Sequence, residues 1–465
     1  MTVDLADPAR RPLQLALPET AAAAFAMGVL VALREAGHDA FLVGGCVRDL
    51  VLGIEPKDYD VATSARPEQV SRLFPRVVEV GASFGVVCVL SLGPSPFAVE
   101  VATFRADLEY QDGRRPVGVR FVGVEQDVLR RDFTMNGLLL DLGRGPEAPL
   151  TLVDLVDGIA DLRAGRLRAI GDPRARFGED ALRLLRAVRF AARFGLTIEA
   201  ETSAAMRELA PRLAMISRER VRMELEHMLQ PASASAALQL LADHSLDAVV
   251  LSELAAADPG LARAIARMRR LVDEASLDPT PQAGRPPSHD AFAVSRGLPI
   301  SLALAALAEG ALPATDLGGR FRLATEVAQA TTQTDSLAAA FQGHLLGEGL
   351  HGLVHAPALI RLLRADHADA ALRLLHARLP ELAGAPVTAR AQISELRRLR
   401  AATPRSRWWP TPFVDGARLQ AVGCAPGPRF RLALDAAMDA QLAGADAAAC
   451  MAVALDKLGP APGAT

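Results

Sequence analysis

Residues 41–63 read FLVGGCVRDLVLGIEPKDYDVAT. Phe41-Leu42-Val43 is an apolar strand, Gly44-Gly45 a turn, and the segment carrying Arg48 and Asp49 suits a short helix. A second strand follows with Asp58 and Asp60. Alternation along a strand puts these two carboxylates on one face and Tyr59 on the other. Paired carboxylates repel unless a positive charge sits between them, and a divalent metal is the usual solution. Backbone N–H groups at a Gly-Gly turn approach phosphate oxygens closely because no side chain intervenes. Together these are the equipment of nucleotidyl transfer.

Working outward, residues 1–17 read as a mobile lead-in and 19–37 as an Ala-rich helix. Short β-branched or apolar runs at Val77–Val80, Val86–Leu92, Phe97–Phe104 and Leu138–Asp141 predict strands. Beyond about residue 155 the strand signal disappears. Helices are expected over 178–194, 199–210, 217–230, 233–244 and 260–275. Residues 105–118 read as a flexible loop, 151–171 as a hinge, and the Pro-rich 277–288 as a linker. The expected fold class is α+β: an N-terminal head with a small mixed β-sheet, followed by an all-helical neck, body and tail. The expected segments are 1–38 for the lead-in and helix, 39–150 for the head, 151–230 for the neck and 231–465 for the body and tail.

A chain of 465 residues, half of them hydrophobic, is large enough for several domains with real cores. The net charge of −3 points to no polyanionic partner on its own, so any nucleic-acid surface must be local. Only Lys57 and Lys457 are lysines; nearly every cation is Arg, which suits a GC-rich genome. Four widely spaced cysteines fit a reduced compartment better than disulfides or a zinc site. With no signal-like start and no run that would span a bilayer, a cytoplasmic location is expected, with no membrane association and no obligate protein partner.

Three constellations carry chemistry. Glu100 can supply a third carboxylate beside Asp58 and Asp60, or simply face solvent on an edge strand. In RRDFTMN (130–136), Arg131 can grip phosphate and Asn136 can bond ribose hydroxyls or backbone, though the run also suits a helix start. In EDALRLLRAVRFAAR (179–193), helical spacing predicts that Arg183, Arg186, Arg189 and Arg193 form one exposed stripe opposite Leu184, Leu185, Val188 and Ala192. Asp180 and Arg183, three residues apart, are expected to meet. Such a pair is either a solvated ion pair or a reader of a base edge, where a good bidentate contact discriminates by about 1–3 kcal/mol. Residues 161–193 hold nine Arg against four acids, an excess of five that favours the second account.

The runs LVGGCVRD…DYD, VEVATF, DGRRP, RRDFTMN, VDLVDGIADL and RFGEDALRLLRAVRFAARFGL resemble, in order, those of the class II CCA-adding tRNA nucleotidyltransferase and bacterial poly(A) polymerase family. The resemblance spans roughly residues 40–230. It implies a five-stranded head, Mg²⁺ held by Asp58 and Asp60, and triphosphate contacts from Gly45 and Arg48. It also implies sugar–phosphate contacts from Arg131 and Asn136, and base reading of CTP or ATP by Asp180 and Arg183 with Arg186 and Arg189 in support. Asp132 falls on an acidic position proposed as catalytic in the polymerases. The implied partner is the tRNA 3′ end, bound through arginines at 218, 220, 222 and 397–407 with Trp408-Trp409. DGRRP, the run ISRERVRMELEHML, the lack of a basic tail and the C-terminal Val414-Asp415-Gly416 … Gly427-Pro428 favour CCA addition; the alternatives are a poly(A) polymerase adding AMP to RNA 3′ ends and an A-adding-only tRNA enzyme. Gly137, where the family usually has Ala, is expected to loosen one turn. A nucleotidyltransferase acting on a protein or antibiotic would leave Asp180 and Arg183 unexplained.

Overall fold

The computed structural model describes residues 10–12 and 17–458, apart from 82–84, 94–95, 108–109, 112–114, 117–118, 143–149, 231–232, 257–259, 278–299, 308–313, 324, 348–356 and 404–409. All but the first residue of the linker expected at 277–288, part of the loop expected at 105–118, and Trp408-Trp409 therefore lie outside the described residues. The chain folds as two compact units, Met1–Glu224 with Gln239–Ser252, and Leu225–Leu238 with Glu253–Thr465.

The first unit is built on a sheet. Its strands are β1 (Arg10–Pro12), β2 (Ala40–Val43), β3 (Tyr59–Thr63), β4 (Val77–Gly81), β5 (Val86–Leu90) and β6 (Ala98–Thr103). Short ribbons follow: β7 (Arg105–Asp107) pairs with β10 (Val119–Phe121), and β8 (Tyr110–Gln111) with β9 (Arg115–Pro116). β11 (Leu139–Asp141) and β12 (Thr151–Val153) then complete an eight-stranded sheet in the order β1-β12-β11-β2-β3-β6-β5-β4. Only β3 and β6 run parallel within it. The sheet is therefore wider than the five strands implied by resemblance. Residues 10–12, read as part of a mobile lead-in, pair with Val153, Leu152 and Thr151, which were read as hinge. An edge position suits β1 because Pro12 has no N–H to offer the ladder.

Helix α1 (Ala21–Glu35) starts at Thr20, whose hydroxyl accepts from the Ala23 N–H at 3.2 Å. It buries Ala23, Ala26, Leu30 and Leu33 at helical spacing and lies against β2, β3 and β6. After α2 (Gly45–Val51), α3 (Pro67–Leu73) packs on β5 and β6 of the sheet. The opposite face packs Phe41, Val43, Ala62, Leu139 and Val153 against Val128 of α4 (Val124–Leu129). Alternation places Asp60 and Glu100 on this second face, beyond the stretch that α4 covers.

The neck departs from the expected continuous helix over 178–194. α5 (Gly158–Arg163) is followed by α6 (Pro173–Glu179), and α7 starts anew at Leu182 and runs to Phe194. Asp180 breaks the helix with φ −146° and ψ 105°. Its carboxylate then accepts from the Leu182 N–H at 3.0 Å, so the sequence spends an Asp on starting α7. Two two-residue strands, β13 (Arg166–Leu167) and β14 (Thr197–Ile198), pair in parallel where no strand was expected. α8 (Ala200–Leu209) and α9 (Arg218–Met228) follow, close to their expected spans.

Among the described residues of the second unit there are only helices and turns. Residues such as Leu271, Leu304, Phe341, Leu363, Leu374 and Ile393 are buried in it. Arg267, almost fully buried, is held by Glu381 at 2.5 Å. A separate cluster of Val414, Leu419, Ala433, Ala437, Cys450 and Ala454 forms the core of the last helices.

Two glycines let the neck seat against the head. A Cβ on Gly158 would lie 2.3 Å from the Thr134 carbonyl oxygen, a backbone atom that cannot step aside. A Cβ on Gly137 would lie 2.7 Å from Cγ2 of Val156. Gly137 therefore makes room for Val156 rather than loosening its turn, which corrects the expectation. Gly137→Ala should cost about 1–3 kcal/mol by overpacking and recover most of it when combined with Val156→Ala. Gly158→Ala should cost more and gain nothing from Val156→Ala. Urea unfolding of the three single and two double variants measures both couplings; equal rescue would contradict this packing.

Candidate active site

β3 carries the central acid. Tyr59 is buried beneath the sheet, Asp58 is exposed just before the strand, and Asp60 is half-buried on the open face. Parallel pairing puts Glu100 of β6 in register with Asp60. β6 lies between β3 and β5, so Glu100 is on an interior strand and not on an edge. Burial and then Glu100 push the Asp60 carboxyl up to about 6, Arg131 opposes them, and Asp58 adds to the rise. The three acids and Arg131 thus share one electrostatic neighbourhood. Below it, Cys46 donates to the Val43 carbonyl at 3.2 Å, and burial raises its thiol to about 11, which keeps it protonated.

The glycine turn faces these acids from the next strand. Gly44 adopts φ 71°, a conformation that favours glycine, and opens α2. A Cβ there would come 3.3 Å from Nη1 of Arg131. A Cβ on Gly45 would come 3.5 Å from Nη2 of Arg48. The two guanidiniums therefore border the turn. Arg131 is steered by Asp127, which accepts from it at 3.0 Å and from Arg130 at 2.8 Å. Burial works to raise the Asp127 carboxyl, but Arg130 and Arg131 outweigh it and hold it below its usual value.

Arg48 is buried on α2. Its Nε and Nη2 donate to Asp49 at 2.9 and 2.6 Å, and its Nη1 donates to Asn136 at 2.7 Å. The Asn136 amide nitrogen donates in turn to Asp132 at 3.0 Å. Asp132 also accepts from the Phe133 N–H at 2.8 Å, and from Nε and Nη2 of Arg186 at 2.8 and 2.6 Å. Burial would raise the Asp132 carboxyl, yet Arg186 and Asn136 bring it down to about 2. Both oxygens of Asp132 are thus engaged and the amide of Asn136 is used at both ends. The sequence signal for Asp132 and Asn136 was a local one; their role here is to join α2 to α7 through the 3₁₀ turn Thr134–Asn136.

The arginine stripe of α7 is not the exposed face that the helical wheel predicts. Arg183 is 8 % exposed, Arg186 and Arg189 are half-buried, and of the four only Arg193 is exposed. The reason is that the stripe faces the head and α9 and is paired along its length. Arg183 donates to Glu179 at 2.6 Å, to the Arg176 carbonyl at 2.9 Å and to the Arg130 carbonyl at 3.3 Å. Arg189 lies 3.0 Å from Glu224, and Arg193 lies 3.8 Å from Asp49. Arg176 donates to the Leu129 carbonyl at 2.6 Å. With Arg183 it holds the open carbonyls at the end of α4, where cations are favoured.

Asp180 and Arg183 do not pair with each other as spacing suggested. Asp180 is held by Arg220 of α9 at 2.7 and 3.3 Å, and the break in the helix turns it away from the i,i+3 geometry. Glu179, Glu224 and Asp127 are neighbours of these arginines that the sequence reading did not single out. Asp127 was the most legible of them, three and four residues before Arg130 and Arg131 on one helix. Of the arginines expected to meet RNA, Arg218 and Arg398 are exposed, whereas three others are engaged within the protein. Arg220 serves Asp180, Arg397 donates to Asp369 at 2.9 Å, and Arg400 donates to the Leu363 carbonyl at 2.9 Å. Beneath the site, fully buried Asp161 accepts from Thr134, Arg166 and Arg168 at 2.7, 2.7 and 2.8 Å and locks the 3₁₀ turn to the neck.

The chain is similar to known proteins in sequence and in fold. A family model described as the poly A polymerase head domain matches residues 40–168. Another, the probable RNA and SrmB-binding site of polymerase A, matches 195–258. The CCA-adding enzyme of Leuconostoc mesenteroides is 45 % identical over 216 residues, 46 % of this chain and 52 % of that protein. The CCA-adding enzyme of Geobacillus stearothermophilus is 42 % identical over 238 residues, 51 % of this chain and 55 % of its own length. The chain thus spans about half the length of the curated relatives it matches. Among solved structures, the Bacillus stearothermophilus CCA-adding enzyme in complex with CTP matches at TM-score 0.65 and 29 % identity, covering 91 % of this chain and 94 % of that one. The Thermotoga maritima CCA-adding enzyme complexed with tRNA shares the fold at TM-score 0.65 and 18 % identity, covering 97 % and 99 %. In sequence the chain is thus similar to poly A polymerase head and RNA-binding domains and to CCA-adding enzymes, and in fold to solved CCA-adding enzymes.

Proposed function

We propose that this protein is a template-independent RNA nucleotidyltransferase that adds CCA, from CTP and ATP, to the 3′ end of tRNA. The observation that carries this reading is the meeting, within one compact unit, of three parts. These are the Asp58/Asp60 pair, a Gly44–Gly45 turn bordered by Arg48 and Arg131, and a base-reading candidate at the start of α7. The names of the similar proteins agree with it.

The acid pair fits Mg²⁺. Its donors are hard oxygens, and the Asp60 carboxyl is raised first by burial and then by Glu100, both of which a bound cation would oppose. Among the described residues no three His, Cys, Asp or Glu side chains are placed to cage an ion together. That also suits magnesium, which binds through one or two carboxylates, waters and substrate phosphates. Bound by Asp58 and Asp60, the ion would lower the pKa of an attacking 3′-hydroxyl and spread charge from the phosphoryl oxygens. Arg48, Arg131 and the N–H groups of the glycine turn receive the triphosphate. Asp132 and Asn136 act as positioning residues, because their hydrogen bonds fix Arg186 and Arg48. No protein nucleophile is required.

Asp180 and Arg183 retain the groups needed to read a base. A carboxylate has about four acceptor sites, and Asp180 uses three, one for Leu182 and two for Arg220. Arg183 spends its two Nη groups on Glu179 and carbonyls, while its Nε–H makes no hydrogen bond among the described residues. One acceptor and one donor are left to face a polar base edge.

The test supplies purified protein, Mg²⁺ and CTP or ATP with tRNA transcripts ending before CCA or after CC, and with an unstructured RNA. CCA addition predicts CMP on the first and AMP on the second. AMP on the second alone indicates an A-adding enzyme, and AMP on the unstructured RNA indicates a poly(A) polymerase. Asp58→Ala should reduce incorporation by at least about a thousandfold with unchanged helical circular dichroism. Arg183→Ala should erode the choice between CTP and ATP by about tenfold or more while RNA affinity stays within about twofold; the reverse pattern would make α7 a mere phosphate track.

Asp60 sets a pH dependence. Its folded pKa lies above the unfolded value of about 3.9, so the native state holds the extra proton between about pH 4 and 6. Metal-free protein should therefore lose stability as pH rises through that window, on the order of 1–3 kcal/mol. Asp60→Asn should flatten the slope, and Mg²⁺ should restore stability to the native protein above pH 6 but not to the variant. Thermal unfolding across pH, with and without Mg²⁺, measures this.

A further inference from the structure

Four arginines of the site share two aromatic rings. Phe190 is buried, meets Phe133 edge-on at 5.9 Å and 82°, and stacks with Phe194 at 6.4 Å and 23°. The guanidinium carbons of Arg48, Arg186 and Arg189 lie 5.4, 5.2 and 4.4 Å from the centre of Phe190. Those of Arg48 and Arg193 lie 4.5 and 4.8 Å from Phe194. Arg48 thus reaches both rings.

We infer that Phe190 and Phe194 are positioning residues: their ring faces hold the four arginines together so that the polyphosphate of an incoming nucleotide meets them already assembled. This rests on the nucleotidyl transfer proposed above. The argument is electrostatic. Four neighbouring cations repel one another, and three carboxylates pair with them: Asp49 with Arg48 and Arg193, Asp132 with Arg186, and Glu224 with Arg189. One positive charge is left over in a partly desolvated patch. A fourth carboxylate would balance it, but would also repel the triphosphate. An aromatic face attracts a guanidinium through its quadrupole and brings no net charge. The rings thus gather the cations and leave the patch attractive to an anion. Spacing supports the design, since Arg186 and Phe190 are one helical turn apart, as are Phe190 and Phe194.

The experiment replaces Phe190 in the full chain with 4-fluoro-, 3,5-difluoro- and pentafluorophenylalanine, which weaken the quadrupole stepwise at nearly constant shape. Single-nucleotide addition of AMP to a tRNA transcript ending in CC gives kcat and KM, and thermal unfolding reports structure. The expected result is a stepwise rise in KM for ATP, reaching about fivefold at full fluorination, the factor that about 1 kcal/mol gives. kcat should stay within about twofold and the midpoint of unfolding should hold. Phe190→Tyr should retain the native KM, and Phe190→Leu should match the fluorinated end of the series. A KM that stays flat across the series overturns the inference. If the native protein adds no nucleotide, the proposed function fails, and the platform is then read directly from proton exchange at Nε–H of Arg48 and Arg186. Exchange that quickens stepwise with fluorination upholds the platform, and unchanged exchange overturns it.

Discussion

The buried carboxylate of Asp132 is the constraint on which the site depends. It receives the backbone N–H of Phe133, the amide of Asn136 and two nitrogens of Arg186. Through Asn136 it reaches Arg48 at the glycine turn, and through Arg186 it reaches the middle of α7. A charge removed from water at this depth is tolerable only when its lone pairs are filled, and here they are. Two elements far apart in sequence are thereby fixed at hydrogen-bond precision without a covalent link.

The same logic explains why so many arginines are drawn inward. An exposed ion pair contributes under about 1 kcal/mol and constrains little. A guanidinium that is largely buried must place each N–H on an acceptor, and so it dictates the position of every group it touches. Arg183 ties Glu179 and two carbonyls, Arg176 ties Glu179 and the Leu129 and Ile170 carbonyls, and Arg220 ties Asp180. The acids do the converse. The Asp60 carboxyl is raised by burial, Glu100 and Asp58 and opposed by Arg131, and the parallel register of β3 and β6 fixes it beside Glu100.

Much of this was legible in the sequence because it is local. Alternation put Asp60 opposite buried Tyr59, whereas Asp58, expected on the same strand, falls just before it, and apolar runs located β2 to β6 and β11 within a residue or two. α1 and α8 followed from periodicity. What failed was long-range. A helical wheel sorts residues into faces but does not say what each face meets, so the α7 stripe read as solvated when it packs against the head and α9. The pairing of Asp180 with Arg220 spans 40 residues, and that of Arg186 with Asp132 spans 54. Neither leaves a local trace. β1 escaped notice because Arg10-Arg11-Pro12 has no large apolar or β-branched residue, and β12 because Thr151–Val153 opens a run rich in turn and cap residues. Gly137 looked like a loosened turn because the side chain that needs its space, Val156, belongs to a different segment.

The scarcity of lysine in this chain acquires a second meaning from those buried guanidiniums. Arg48 engages two different side chains through three nitrogens, and Arg176 uses all three of its nitrogens on separate carbonyls and a carboxylate. An ammonium offers one nitrogen and cannot span those acceptors. A lineage whose codons drifted toward adenine and thymine could trade surface arginines for lysine freely, yet at these positions the mutational pressure would meet geometry and stop.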